Sequence, residues 1–310
     1  MNAYADLVRL PAVLSAPGDA LLGAAAGGDT GVRGTVAAAV SSALAYMAGM
    51  ALNDYADRHV DAAERPDRPI PSGRISPERA LALGAGLLVA DLVVAGWGSG
   101  RRGVALSLAT TGAVLGYDFA AKDTVAGPGV MAACRFLDVQ RGSRSFRAAL
   151  LPAGLVAAHT YMITGVSRHE VDGGNRRVAL SSVVATAAIT VAALGPALKA
   201  AVPTSAVPRP AAQESSGVRA AVPTTVTDSE SRIVAMAAAA LYVLPSIRAS
   251  LAAARDPSSS RLQRVVKTGV LGMLPLQGTL TATQGRPATG AGMIVLWYAA
   301  RNLAARRRVT

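Results

Sequence analysis

The sequence is poor in cysteine, aromatics and charge: Cys134 stands alone, Phe, Trp and Tyr make up 4%, and charged residues make up 16% of 310. A single cysteine excludes an internal disulfide and a Cys-ligated zinc site. Cys134 follows Ala132 and Ala133 in an apolar segment, so it reads as a packing thiol. Soluble domains carry about 25% charged residues, and here the charges are also clumped. Acids are scarcer still, 19 against 31 basic residues, and the only lysines are Lys122, Lys199 and Lys267. No P-loop, dinucleotide fingerprint or catalytic-triad motif stands out. The first apolar run has no convincing small-residue cleavage site, so it reads as a retained span and not as a signal peptide.

Apolar length is what the sequence has in abundance. Hydrophobic residues make up 51%, and Gly34–Leu52, Gly103–Tyr117 and Ala179–Leu198 carry no charge at all. About 20 apolar residues cross a hydrocarbon core as a helix. Backbone polar groups in lipid must be satisfied internally, and the spacing of these runs does not suit a barrel. The fold class is therefore all-α, a polytopic membrane bundle. Spans are expected near 10–27, 34–53, 78–97, 103–118, 126–140, 147–166, 178–198 and 232–249. A last region, 265–305, is interrupted at Gly285-Arg286-Pro287 and gives one span or two, hence nine helices or ten. Residues 200–230 are rich in Pro, Ser, Thr and Ala, which reads as a flexible loop within one domain of residues 1–310.

The net charge of +12 does not call for nucleic acid, because the basic residues lie in short loops between apolar runs. They concentrate around 58–79, 122, 168–177 and 248–267, more than around 33, 101–102 and 141–147. The expected topology puts the first set, and the N-terminus, on the cytoplasmic side of a cell membrane. Membrane lipid is the expected surrounding, and no obligate protein partner is evident.

The chemistry gathers at the end of the second span. In Asn53-Asp54-Tyr55-Ala56-Asp57-Arg58-His59-Val60-Asp61, a continued helix would put Asn53, Asp54, Asp57 and Asp61 on one face. Carboxylates at a membrane boundary repel each other, and one at mid-membrane costs roughly 2.5–3.5 kcal/mol. Hard oxygen ligands with open positions suit Mg²⁺ completed by phosphate oxygens. Arg65-Pro66-Asp67-Arg68-Pro69-Ile70-Pro71-Ser72-Gly73-Arg74 follows, with prolines to stiffen the loop and guanidinium groups to grip phosphate. Ser76-Pro77 then reads as the cap and first position of the next helix.

Asn53-Asp54-x-x-Asp57-x-x-x-Asp61 followed by Arg-Pro-x-Arg-Pro-Ile-Pro-Ser-Gly resembles the first aspartate motif of the UbiA superfamily of intramembrane prenyltransferases, which includes bacterial 4-hydroxybenzoate polyprenyltransferases. Arg9-Leu10-Pro11 with Gly23 is similar to that family's first helix. The resemblance implies a helical bundle with a central cavity and a Mg²⁺-dependent enzyme that moves a prenyl group from a prenyl diphosphate to a small acceptor. It implies that Asp54, Asp57 and Asp61 hold Mg²⁺–diphosphate, that Asn53 supports them and that Arg68 contacts phosphate. Lys122 is the counterpart of a basic residue that contacts diphosphate, and Tyr117 lines the pocket. The family's second acidic motif is reduced here to Glu170-x-Asp172, so Glu170 and Asp172 are the further metal-ligand candidates.

His159, beside Thr160 and Tyr161, either orients an acceptor or packs between helices. Arg135 and Asp138, three apart, could form an internal ion pair or line the cavity, and Asp91 is a similar intramembrane charge. The acceptor and the donor's chain length are not specified by these residues. Two other classes remain open at this stage: a non-catalytic relative with the same fold, and a cation-coupled transporter.

Overall fold

The computed structural model describes residues 3–28, 30–170, 173–174, 176–199 and 229–306, and every regular element among them is helical. The short α1 (Ala3–Leu7) and α2 (Leu10–Val13) lead into α3 (Ser15–Gly27) and the long α4 (Gly31–Ala56). Next come α5 (Arg58–Glu64), α6 (Pro77–Gly116) and a single π-helical turn, Tyr117–Ala121. The remainder is α7 (Gly127–Gly142), α8 (Leu150–Ser167), α9 (Arg176–Lys199), α10 (Ser229–Arg255), α11 (Ser259–Thr283) and α12 (Pro287–Arg306). Helices adjacent in the chain pack side by side, and α11 returns onto α3 and α8, enclosing a central space.

The bundle carries apolar side chains on its outside and keeps its intramembrane charges inside, among a largely apolar core. Val89, Val93, Val184 and Val191 are each more than 60% exposed, whereas Asp19, Asp91, Asp138, Arg141, Gln140 and Gln277 are buried. Among the described residues, Gly31–Ala56, Pro77–Ala121, Leu150–Ser167, Arg176–Gly195 and Ser229–Arg255 are long and apolar enough to cross a membrane.

α6 reverses direction halfway. Gly100 has φ 58° and ψ −142°, far from helical values, and glycine reaches that region without a Cβ penalty. Ser107 Oγ donates to Asp91 Oδ2 at 2.6 Å. Sixteen residues of straight helix would hold those side chains about 24 Å apart, so the two legs are antiparallel. This matches the separate runs expected at 78–97 and 103–118. The start of α6 is also as expected, with Pro77 in its first turn and Ser76 Oγ accepting from the Arg79 N–H at 3.4 Å. The region 265–305 forms two helices, α11 and α12, with Gly285 (φ 76°) between them. Of the loop expected at 200–230, residues 200–228 lie outside the described residues, and Ser229 already begins α10.

Small residues set the closest helix approach. A Cβ on Gly23 of α3 would meet the Val139 carbonyl oxygen at 1.9 Å, and one on Gly142 of α7 would meet that of Ala20 at 1.8 Å. This contact places Arg135 of α7 against Asp19 of α3, with Nε 2.9 Å from Oδ2.

Candidate functional site

The acidic segment runs on with one local break. α4 ends at Ala56 and α5 begins at Arg58, with Asp57 (φ −83°, ψ −2°) at the joint. The i→i−4 bonds continue across it, from the Asp57 N–H to the Asn53 carbonyl at 2.9 Å and from the Asp61 N–H to the Asp57 carbonyl at 2.8 Å. Asp54 and Asp61, both buried, converge on Arg68, whose Nη1 donates to Asp54 Oδ1 at 3.2 Å and also to Asp61 Oδ2. Asp57 is paired with the Lys122 ammonium instead.

The proline-rich loop holds Arg68 in place. Its backbone closes through Ser72 N–H to the Arg68 carbonyl and Ile75 N–H to the Pro69 carbonyl, both 3.0 Å. Ile70 and Ile75 are buried with Leu7, Ala51 and Ala80, so the loop is anchored by apolar packing. Arg9 approaches from the other side. It is the only non-glycine with positive φ among the described residues, at 49°, a conformation that costs on the order of 1–3 kcal/mol and clusters at functional sites. Its Nη2 donates to Asp54 Oδ1 at 3.1 Å and to Asn53 Oδ1 at 3.4 Å.

Arg65 reaches Glu170 at 3.8 Å, which draws the α8–α9 connection to the same mouth. Asp172 lies outside the described residues. Burial lowers the Lys122 pKa from the usual lysine value, with the Asp123 carboxylate acting in the opposite direction.

Asn53, Asp57, Arg65, Arg68, Lys122 and Glu170 line the mouth of a central cavity of about 450 Å³, and Asp54 lines a neighbouring cleft together with Arg9, Arg65 and Arg68. Arg135, His159, Ile163 and Met273 line the central cavity deeper in. A second, smaller chamber of about 170 Å³ is mostly apolar and is lined by Ala45, Met50, Val114 and Met131. Both spaces share Arg9, Tyr46, Asn53, Tyr117 and Arg135. A charged mouth above an apolar chamber suits a ligand with a polyanionic head and a hydrocarbon tail.

His159 lines the cavity with both ring nitrogens engaged. Nε2 faces the Gly269 carbonyl at 3.0 Å and therefore donates, which leaves Nδ1 to accept from Tyr242 Oη at 2.9 Å. Arg135 and Asp138 are not partners. Arg135 binds Asp19 and the Ser15 carbonyl, and Asp138 takes Ser42 Oγ at 2.5 Å and Arg141 Nε at 3.3 Å. Asp91 accepts from Arg141, Ser41 and Ser107.

The family model for UbiA prenyltransferases matches residues 11–254. The chain belongs to the UbiA prenyltransferase family. A digeranylgeranylglyceryl phosphate synthase of Methanothrix thermoacetophila is 58% identical over 48 residues, 16% of this chain and 18% of that protein. The bacteriochlorophyll synthase 33 kDa chain of Rhodobacter capsulatus is 39% identical over 87 residues, 27% of this chain and 28% of that one. The matched stretches thus span less than a third of either relative's length. A UbiA homologue from Aeropyrum pernix K1 shares the fold, with a TM-score of 0.59 at 14% identity over 92% of this chain and 97% of that one.

Against that UbiA fold, the acidic residues can be tested for a metal. Among the described residues no three His, Cys, Asp or Glu side chains converge to cage an ion. Mg²⁺ does not need such a cage, since one or two carboxylates plus substrate phosphates suffice. Asp54 and Asp61 are hard oxygen donors already brought together by one cation, Arg68. The donor chemistry fits.

Arg9 and Asp118 are two members of this UbiA site that the sequence pattern does not single out. Arg9 is marked in the sequence only by its likeness to a first helix, and Arg65 only as one of several phosphate-gripping guanidinium groups in its loop. Asp118, next to Tyr117, received no role. It is buried, accepts from Asn53 Nδ2 at 3.2 Å and lines the inner chamber. An acid at the end of an uncharged span was the available signal.

Proposed function

We propose that this protein is a Mg²⁺-dependent prenyltransferase that moves a prenyl group from a prenyl diphosphate to a small acceptor at the cytoplasmic membrane face. The observation that carries this reading is the mouth itself: Asp57, Lys122, Arg65 and Arg68 line a cavity that shares Arg9, Asn53 and Tyr117 with an apolar chamber, and Asp54 and Asp61 hold Arg68 from behind. The names of the related proteins, a digeranylgeranylglyceryl phosphate synthase and a bacteriochlorophyll synthase, support prenyl transfer and leave the acceptor open.

In this reading Arg9, Arg65, Arg68 and Lys122 bind the diphosphate head, and the apolar chamber takes the start of the prenyl chain. Asp54 and Asp61 hold the metal, with Asp57 beside them, and Glu170 positions Arg65; Asp172 is a further acid of the same region. Mg²⁺, when bound, would supply charge neutralisation for the departing diphosphate. Fixed cations at the mouth stabilise negative charge where it develops. Tyr117 lines both spaces, where its aromatic ring can stabilise positive charge developing on the prenyl carbon. Asn53 keeps Arg9 aimed at the head, and His159 walls the cavity through fixed hydrogen bonds. One domain, residues 1–310, carries these parts.

The test is donor consumption by the purified chain in lipid nanodiscs, with radiolabelled geranylgeranyl diphosphate and a panel of acceptors. Labelled product should form with Mg²⁺, vanish with EDTA and return on adding Mg²⁺. Formation unaffected by EDTA would exclude the metal, and no product with any donor or acceptor would favour a non-catalytic protein.

Lys122 adds a pH dependence. Its ammonium is charged below its pKa, and burial lowers that pKa, so the donor KM should rise as pH climbs through it. Lys122→Arg, which holds its charge above pH 12, should carry the low KM to higher pH. A donor KM that varies with pH identically in both proteins would remove Lys122 from the diphosphate seat.

A further inference from the structure

Asp118 carries one buried carboxylate oxygen that the protein leaves without a partner. The residue is 4% exposed, and it sits in the π-helical turn Tyr117–Ala121 that ends the second leg of α6. Such turns interrupt helices preferentially at functional positions. Its Oδ1 accepts from Asn53 Nδ2, while Oδ2 is buried with no hydrogen-bond partner. The carboxylate lines the inner chamber, whose walls are mostly apolar.

A buried oxygen of this kind is costly unless a ligand satisfies it. The protein's own groups are committed elsewhere. Arg9 is held by Asn53 Oδ1 and Asp54, and Arg135 by Asp19 and the Ser15 carbonyl. A diphosphate would be repelled by a carboxylate, and a prenyl chain has no proton to donate. An ammonium group would share the chamber with the guanidinium groups of Arg9 and Arg135, which also line it. The remaining partner is an uncharged hydrogen-bond donor, of which a hydroxyl is the simplest.

We propose that Asp118 selects the acceptor, taking a hydrogen bond at Oδ2 from a hydroxyl that the acceptor carries into the inner chamber. This rests on the prenyltransferase reading for the word acceptor, although the binding chemistry stands without it. Asn53 becomes the link between two recognition ends, accepting from Arg9 with its carbonyl and donating to Asp118 with its amide.

The experiment measures binding to the full chain in nanodiscs, with and without Mg²⁺ and geranylgeranyl thiolodiphosphate, an unreactive donor analogue. Three probes are used: 1-decanol, 4-hydroxybenzoate and an alkyl glyceryl ether phosphate, each compared with its O-methyl ether. Wild type should prefer at least one hydroxyl probe over its ether by about tenfold or more, the scale of leaving a buried acceptor unpaired. Asp118→Ala should flatten that preference to less than about twofold, and Asp118→Asn should keep part of it. Both variants should bind the donor analogue within about twofold of wild type, which also shows that they fold.

Equal preference in wild type and Asp118→Ala, or no preference for any probe in wild type, would overturn the proposal. So would a loss confined to Mg²⁺ or donor-analogue binding, because Asp118 would then belong to the diphosphate end. Should wild type fail to bind the donor analogue while still preferring the hydroxyl probes, the prenyltransferase reading falls and the role of Asp118 stands.

Discussion

Replacing Asp54 with alanine is expected to lower prenyl-transfer turnover by about 10²–10³-fold or more, the scale set by removing one preorganised charge-stabilising group. Asp54 is the node of the mouth, where its Oδ1 receives both Arg9 and Arg68. Losing it frees two guanidinium groups that otherwise fix the head-group seat and removes one of two carboxylates brought together by Arg68. Asp54→Asn keeps the shape and one acceptor oxygen but not the charge, so it should lose nearly as much. Glu170→Ala should cost about tenfold or less, because Glu170 holds Arg65 only at 3.8 Å in a partly exposed pair. Turnover of labelled geranylgeranyl diphosphate, with the melting temperature as the folding control, checks the series. An Asp54→Asn protein with more than a tenth of wild-type turnover would show that the charge is not what matters there.

The second large effect concerns stability and lies away from the mouth. Arg141 is almost fully buried between Asp91 and Asp138, with Ser107 and Ser42 donating to the other oxygen of each acid and Ser41 sharing Asp91 Oδ1. Arg141→Met would strand two buried carboxylates, and removing one partner of a buried pair typically costs about 3–5 kcal/mol. The expected result is a large fall in thermal stability in detergent. Adding Asp91→Asn to Arg141→Met should recover part of the loss, because one stranded charge disappears. A drop below about 1 kcal/mol in the single variant would mean that water or lipid headgroups reach these acids.

The sequence carried the helices well because uncharged length is a one-dimensional signal. Charge-free runs mark α4, the second leg of α6 and α9 without reference to any other part of the chain. The reversal at Gly100 was legible too, since Arg101 and Arg102 interrupt an otherwise continuous apolar run. What the sequence hid was direction. Asp54, Asp57 and Asp61 have helical spacing, yet Asp54 and Asp61 share Arg68 while Asp57 takes Lys122, and a spacing pattern does not say which cation each acid meets. Partner choice was hidden for the same reason: Arg135 and Asp138 are three apart on α7, but packing against α3 and α4 gives them Asp19 and Ser42 instead. Arg9 stayed obscure because its positive φ is a tertiary consequence, visible only once Asn53 and Asp54 lie within its reach.

The burial of Asp91 also has a bearing on how the chain enters its membrane. Asp91 lies on the first leg of α6, and its guanidinium partner is 50 residues further along. At about 5–20 residues per second of synthesis, that partner arrives some 2–10 s later. Until it does, the hairpin holds an acid inside lipid with only Ser107 of its own second leg and Ser41 of α4 to shield it. An unmatched aspartate at that depth costs roughly 2.5–3.5 kcal/mol, so the hairpin has reason to stay beside the insertion machinery until α7 emerges. The position of one charge thus couples the settling of α4 and α6 to the arrival of α7.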